Sequence, residues 1–197
     1  MKLTSFHIWD YKIIDDSNEI VVDQNVTCFV GKNEAGKTAV LQALYRLNPI
    51  EAADFDETNS YPRKRLRKYQ RNVDAGTEES AKVITATFDL DNNDISAITE
   101  QYGECVSVDS PLTITKKYDD SKLIGLKVDE QKWVKHYTNQ SNLEGTSAQK
   151  SKATKSLESL ITALEECEDD TKAQACLAYL KQVDEKGLAI EIWGQCL

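Results

Sequence analysis

A glycine-rich run near the N-terminus contains the residue types that bind phosphate groups. Residues 31–38 are Gly-Lys-Asn-Glu-Ala-Gly-Lys-Thr and match the pattern G-x-x-x-x-G-K-[ST] in full. The two glycines allow a loop whose backbone N–H groups converge on phosphate oxygens. Lys37 suits the β- and γ-phosphates, and Thr38 offers a hydroxyl to Mg²⁺. The run therefore predicts a site for ATP and Mg²⁺. The predicted contacts are Gly31, Asn33, Glu34, Ala35, Gly36, Lys37 and Thr38.

The elements on either side of this loop must hold it in place. Residues 26–30 are apolar almost throughout, which predicts a strand that is buried on both faces. Residues 38–48 carry apolar side chains at helical spacing, and Asn48-Pro49 should end that helix. Two earlier runs, at residues 3–14 and 20–22, predict short antiparallel strands ahead of the loop. A loop between a strand and a helix is the context in which this pattern binds nucleotides.

The rest of the chain alternates between β and helical patterns. Residues 51–74 are irregular and strongly charged, 82–91 predict a strand, 93–102 a short helix and 112–129 a hairpin. Residues 139–155 predict a linker, and two helices are expected at 155–168 and 171–186. We therefore expect an α/β P-loop NTPase with an antiparallel β subdomain. Its ATP-binding lobe should span residues 1–138, and 139–197 should hold the linker and the start of a helical arm in a truncated chain.

Composition excludes several classes of protein. The 197 residues carry 33 acidic and 24 basic side chains, a net charge of −9, which excludes a wholly basic nucleic-acid module. Three Trp, eight Tyr and four Phe argue against disorder. No apolar stretch approaches the roughly 20 residues that span a bilayer, so we expect a cytoplasmic protein with no membrane contact. The five cysteines include no Cys-x-x-Cys pair, which favours free thiols over a disulfide framework or a zinc site.

The residues around the loop resemble a known family. Residues 6–8, 10–12, 26–38 and 41–44 are similar to the N-terminal lobe of ABC-type ATPases of the SMC and RecF class, and within it to OLD-like (overcoming lysogenization defect) AAA-family ATPases. The resemblance covers roughly the first 130 residues, and the interior of the loop, residues 33–35, discriminates best. It implies an ABC ATPase head in which a C-terminal lobe supplies a signature motif, a Walker B acid pair and a histidine switch.

This chain contains none of those three motifs, so it offers no convincing catalytic base. By resemblance, the missing C-terminal lobe would complete the site, and ATP would clamp two heads together in a head-to-head homodimer. The intact ATPase would then couple hydrolysis to DNA repair, DNA tethering or phage defence. Two other classes stay open, a small P-loop nucleotide kinase and a non-catalytic module that binds ATP or DNA. A kinase normally begins with the P-loop strand itself, whereas two strands precede it here.

Further contacts are predicted outside the loop. The resemblance places Lys12 near the nucleotide phosphates and Gln140 near Mg²⁺. Six basic side chains lie within nine residues, with no acid among them, and Arg63 and Arg65 of this group are predicted to contact the phosphates of nucleotide or DNA. The group consists of Arg63, Lys64, Arg65, Arg67, Lys68 and Arg71. The alternative is a solvated helix face that Glu51, Asp54, Asp56 and Glu57 neutralise.

Overall fold

A computed structural model describes residues 1–51, 53–167 and 170–194, which form two compact units. The P-loop unit contains residues 2–89 and 112–123. The helical unit contains Met1, residues 90–111 and the described residues from 124 onwards. The domain boundary predicted at residue 138 stays a prediction.

An antiparallel sheet forms the framework of the P-loop unit. Its strands are β1 (Lys2–Tyr11), β2 (Ile14–Asp16), β3 (Ile20–Val21), β4 (Lys82–Asp89), β5 (Leu112–Lys117) and β6 (Lys122–Gly125). Their order is β2-β1-β4-β5-β6, and β3 also pairs with β1. The register places Phe6 opposite Ala86 and Ala86 opposite Ile114, and all three side chains are buried. The alternating pattern of these strands therefore puts one face of the sheet into the core, and the predicted antiparallel β structure is confirmed.

The helix after the glycine-rich loop is also confirmed. Helix α1 (Lys37–Leu47) buries Ala39, Val40, Ala43 and Leu47 and packs on β1 and β4. The apolar side chains recur at helical spacing, so one face of the helix covers the central strands.

The segment 51–74 was expected to be irregular, and this expectation is wrong for most of its length. It forms α2 (Glu57–Ser60) and α3 (Arg63–Asp74). Tyr69 on α3 is buried and stacks on Tyr61, with ring centroids 4.3 Å apart. Burial of these two rings holds a helix that is otherwise made largely of charged residues.

The prediction of a buried strand at residues 26–30 is wrong. The segment has no regular secondary structure, and its apolar side chains are largely open to solvent, with Val30 93% exposed. The carboxylate of Asp23 accepts the N–H groups of Asn25 and Val26 in a turn. A strand requires a neighbouring strand for its backbone groups, and the described residues offer none beside this segment.

The helical unit contains the remaining helices. They are α4 (Asn92–Tyr102), α5 (Glu130–Gln140), α6 (Gly145–Lys152), α7 (Leu157–Glu165), α8 (Thr171–Lys186) and α9 (Leu188–Gly194). Leu160 and Leu164 of α7 and Leu180 and Val183 of α8 are fully buried where these two helices pack together. The helices predicted at 93–102, 155–168 and 171–186 are confirmed, although residues 168–169 lie outside the described part. The predicted C-terminal helical segment is therefore present.

The predicted linker at 139–155 is instead partly helical, because α6 lies within it. Its buried serines satisfy their hydroxyls locally: Ser147 Oγ donates to the Glu144 carbonyl and Ser151 Oγ to the Ser147 carbonyl. Small hydroxyl side chains can therefore pack inside the unit, although their polarity suggested a solvated linker.

Candidate nucleotide-binding site

Two residues of the glycine-rich loop have the left-handed backbone conformation that occurs in phosphate-binding loops. Glu34 and Gly36 both lie in the left-handed region, with φ of 69° and 90°, and Gly36 stands immediately before α1. Left-handed residues between right-handed ones turn successive N–H groups towards one side of a loop. The first turn of α1 has neither a side-chain cap nor an acidic residue. The positive end of the helix is therefore free to attract an anion.

Lys37 lies over this loop. Its Nζ donates to the carbonyl oxygens of Gly31 and Lys32, both at 2.8 Å. The ammonium is thus held beside the loop by two neutral acceptors that a phosphate can replace. Thr38 is exposed, and its hydroxyl forms no hydrogen bond with any residue that the structure describes. That hydroxyl is available as a ligand for Mg²⁺.

A cavity of about 470 Å³ opens beside the loop. Its size falls within the range of small-molecule sites. It is lined by Lys12, Ile13, Asn33, Glu34, Gly36, Lys37, Thr38, Ala39 and Gln42. The fold therefore brings Lys12 to the loop from the turn after β1, about twenty residues earlier in the chain. The phosphate contact predicted for Lys12 stays a prediction.

Three residues of this cavity were not among the sequence predictions: Ile13, Gln42 and the buried Ala39 of α1. Gln42 lies one helical turn beyond Thr38 on α1, and its Oε1 accepts a hydrogen bond from Lys12 Nζ. The i, i+4 spacing from Thr38 was a signal that could have identified it. Ile13 is exposed to the cavity, and its Cδ1 lies 3.5 Å from the position of a Cβ added to Gly36. Only the folding of the turn between β1 and β2 brings Ile13 there.

The six basic residues fall on α3, and one of them differs from the others. Arg65 Nη2 forms ion pairs with Asp10 and, at 2.6 Å, with Asp15. Arg63, Lys64, Arg67, Lys68 and Arg71 are exposed and form no ion pair with any described acid. Two of the four acids proposed to neutralise this group have other partners. Asp56 caps α2, and Glu57 accepts a hydrogen bond from Gln70.

A second cavity, of about 900 Å³, lies next to the first. Lys12 and Ile13 line both cavities, and Arg63, Lys64 and Arg65 line only the second. Gln140, the last residue of α5, belongs to the helical unit, and its predicted contact with Mg²⁺ stays a prediction. Among the described residues, no group of three or more His, Cys, Asp or Glu side chains could hold a metal ion.

Comparison with known proteins assigns the family. The sequence model of the AAA ATPase domain matches residues 1–188. The chain belongs to this family. The match includes the whole P-loop unit of this AAA ATPase domain and most of its helical unit. The predicted P-loop ATPase fold of mixed α/β type is thereby confirmed.

The structural comparisons include a distant similarity. A solved chain from work on the ATP-driven dimerization and DNA-stimulated activation of SMC ATPases is 12% identical in sequence, with a TM-score of 0.39. The alignment covers 64% of this AAA ATPase domain and 69% of that chain. No match was found among curated proteins. In the part of the chain that the structure describes, no helix has both the length and the apolar character needed to cross a membrane.

Proposed function

We propose that the chain binds ATP-Mg through the glycine-rich loop, as the N-terminal part of an SMC/RecF-type ATPase of the OLD-like kind. The observation that carries this proposal is the position of Lys37. Its ammonium lies beside the loop at the uncapped end of α1, where its hydrogen-bond partners among the described residues are the carbonyls of Gly31 and Lys32. The free hydroxyl of Thr38 adjoins it on the same cavity. A triphosphate fits this combination of donors, because it needs a cation, converging N–H groups and a magnesium ligand together.

Hydrolysis needs a group that this cavity lacks. Glu34 is the single carboxylate among the described lining residues, and it belongs to the phosphate-binding loop itself. A base must instead lie on the far side of the γ-phosphate, where it can orient the attacking water. We therefore assign the catalytic acids to a second lobe of the intact ATPase.

The uncovered apolar surface of the P-loop unit supports that assignment. Val26 and Val30 are exposed in the segment before the loop, and Leu41 and Tyr45 are exposed on one side of α1. Leu41 and Tyr45 are one helical turn apart, so they lie on the same face of the helix. A second lobe that adds a strand beside residues 26–30 would satisfy the free backbone groups and bury these side chains.

Nucleotide titration tests the first part of the proposal. The purified 197-residue chain should bind ATP in the presence of Mg²⁺, measured by calorimetry, and Lys37→Ala should abolish binding. Lys32→Ala is the matched control, because Lys32 contributes only its carbonyl to Lys37 and its side chain is exposed. Turnover of ATP should be negligible. Strong hydrolysis by the isolated chain would contradict the argument that the base lies elsewhere.

The surface of α3 supports a role in DNA metabolism or phage defence. Its five unpaired cations form a local positive patch on an acidic protein, and such a patch binds phosphate backbones through release of counterions. Arg67→Glu combined with Lys68→Glu should lower affinity for duplex DNA at least about tenfold at 0.1 M salt. It should also reduce the slope of log affinity against log salt by about two.

A charge-matched variant separates this patch from general electrostatics. Lys152→Glu combined with Lys155→Glu makes the same change of net charge on the helical unit. It should leave the affinity for DNA within about twofold of the wild type, because the charge close to the bound DNA governs binding more than the net charge does. Equal losses from the two double variants would show that net charge, and not α3, governs binding.

A further inference from the structure

Two carboxylates at the ends of one turn share a single guanidinium. The β1–β2 corner, residues 10–15, joins these strands and carries Asp10 and Asp15 at its ends. Arg65 Nη2 donates to Oδ1 of both carboxylates. The Asp10 side chain is only 22% exposed, whereas that of Asp15 is open to solvent. Arg65 therefore ties α3 to both ends of the corner.

The backbone of the β1–β2 corner has a conformation that is energetically unfavourable. Asp10 and Lys12 have φ of 46° and 56°, in the left-handed region that residues with a side chain seldom adopt. Surrounding contacts keep them there. The Lys12 N–H donates to the Ser60 carbonyl at 2.5 Å, and the Tyr118 hydroxyl donates to the Asp10 carbonyl at 2.6 Å. Strain of this kind persists where several contacts fix one geometry, and it is frequent at functional sites.

The corner forms one wall of the nucleotide cavity. Ile13 Cδ1 lies 3.5 Å from the position that a Cβ on Gly36 would occupy, and Lys12 Nζ donates to Gln42 on α1. The same two residues, Lys12 and Ile13, line both the P-loop cavity and the larger cavity beside α3. A shift of the corner therefore changes the space next to Lys37 directly.

We propose that Arg65 is a positioning residue of the nucleotide site: its ion pairs with Asp10 and Asp15 hold the β1–β2 corner against the glycine-rich loop. This inference rests on the proposed function, because its main consequence is measured as nucleotide affinity. It differs from direct contact with phosphate, since the guanidinium acts through two carboxylates that it already binds.

Arg65→Met breaks both ion pairs and keeps an unbranched side chain on α3. It should raise the dissociation constant for ATP-Mg about three- to tenfold, the range expected for two partly exposed ion pairs. Arg67→Met is the matched control, because it removes the same charge from the same helix and Arg67 has no partner among the described acids. It should change the dissociation constant by less than about twofold. Arg65→Lys, which keeps the charge, should recover part of the affinity.

Asp10→Asn distinguishes positioning from direct contact by the sign of its effect. Removing a negative charge near an anionic ligand strengthens binding if electrostatics alone acts. If Arg65 works through Asp10, the same variant weakens ATP binding. The double variant, Asp10→Asn with Arg65→Met, then loses less binding free energy than the two single variants lose in sum. Tighter binding by Asp10→Asn would overturn the positioning role in favour of a direct phosphate contact.

Hydrogen exchange supplies a readout that needs no nucleotide. In Arg65→Met the amide of Lys12, which bonds to Ser60, should exchange faster, while amides of β4 should be unchanged. Exchange and affinity that match those of Arg67→Met would refute the inference. Failure of the wild type to bind ATP, or binding that survives Lys37→Ala, would refute the proposed function instead. Exchange at Lys12 would still decide whether Arg65 holds the corner.

Discussion

Two neighbouring lysines on β5 should differ sharply in their contribution to stability. Lys116 points into the core of the P-loop unit with only 5% of its side chain exposed. Its Nζ pairs with Asp120 at 2.8 Å, donates to the Arg46 carbonyl at 3.1 Å and lies 5.3 Å from the centre of the Phe55 ring. Lys117 faces the other side of the strand. We expect Lys116→Met to destabilise the unit strongly and Lys117→Met to have little effect.

The size of each effect follows from burial. Lys116→Met removes two charge-assisted contacts of about 1.5–3 kcal/mol each. It leaves the Asp120 carboxylate without its cation, although that side chain is 30% exposed and water can replace part of the loss. We expect a net loss of about 2–4 kcal/mol. The partner of Lys117 is Glu79, at 3.0 Å; the lysine side chain is 14% exposed, but the carboxylate is 89% exposed. An ion pair with one group open to solvent contributes about 0–1 kcal/mol.

Urea unfolding of the wild type and both methionine variants measures the difference. Because the chain contains two compact units, exchange of the β4 and β5 amides should accompany the spectroscopic signal, so that the loss is assigned to the P-loop unit. Equal losses from the two variants would refute the burial argument. A Lys116→Met variant as stable as the wild type would show that desolvation of the ammonium outweighs its contacts.

Two further predictions concern the helical unit and the thiols. Gly103→Ala should destabilise the chain by about 2–4 kcal/mol in thermal or urea unfolding, because Gly103 has φ of 80° and an added Cβ would lie 2.6 Å from His136. Gly145→Ala, with φ of 61° and open space, should cost only about 1–2 kcal/mol. In alkylation at pH 8 followed by mass spectrometry, exposed Cys28 should react quickly and Cys105 slowly. Burial raises the pKa of Cys105 to about 11, so only about 0.1% of it is thiolate at that pH, and comparable rates would contradict this.

Local patterns predicted the elements whose signals are contained in a few consecutive residues. Asp91 is the N-cap of helix α4, and its side chain accepts the N–H groups of Asn93 and Asp94 in a capping box. Ser156 caps helix α7 with a capping box of its own. Such caps, and the spacing of apolar residues after them, act over one or two helical turns, so they can be recognised without knowledge of the fold.

Patterns that depend on distant partners led to errors. Residues 26–30 have the composition of a buried strand, yet composition does not supply the neighbouring strand that pairing requires. In α3, most residues are charged, so the sequence did not indicate a buried face. That face is formed by Tyr69, which stacks on Tyr61. Lys116 occupies a core position in the alternation of β5, and only the arrangement of Asp120 and Phe55 accommodates its charge there.

The sequence by itself determined the glycine-rich motif on which the proposed phosphate binding by this AAA ATPase domain rests. The glycines, Lys37 and Thr38 are contiguous, so one loop and the start of one helix suffice to bring their donors together. Only the tertiary structure decided how Arg65 differs from the other cations of α3. Its partners Asp10 and Asp15 are 55 and 50 residues away along the chain, and folding of the sheet brings them to it. Contacts between residues so far apart in the sequence form only when the whole chain folds. A contiguous motif needs only its own backbone.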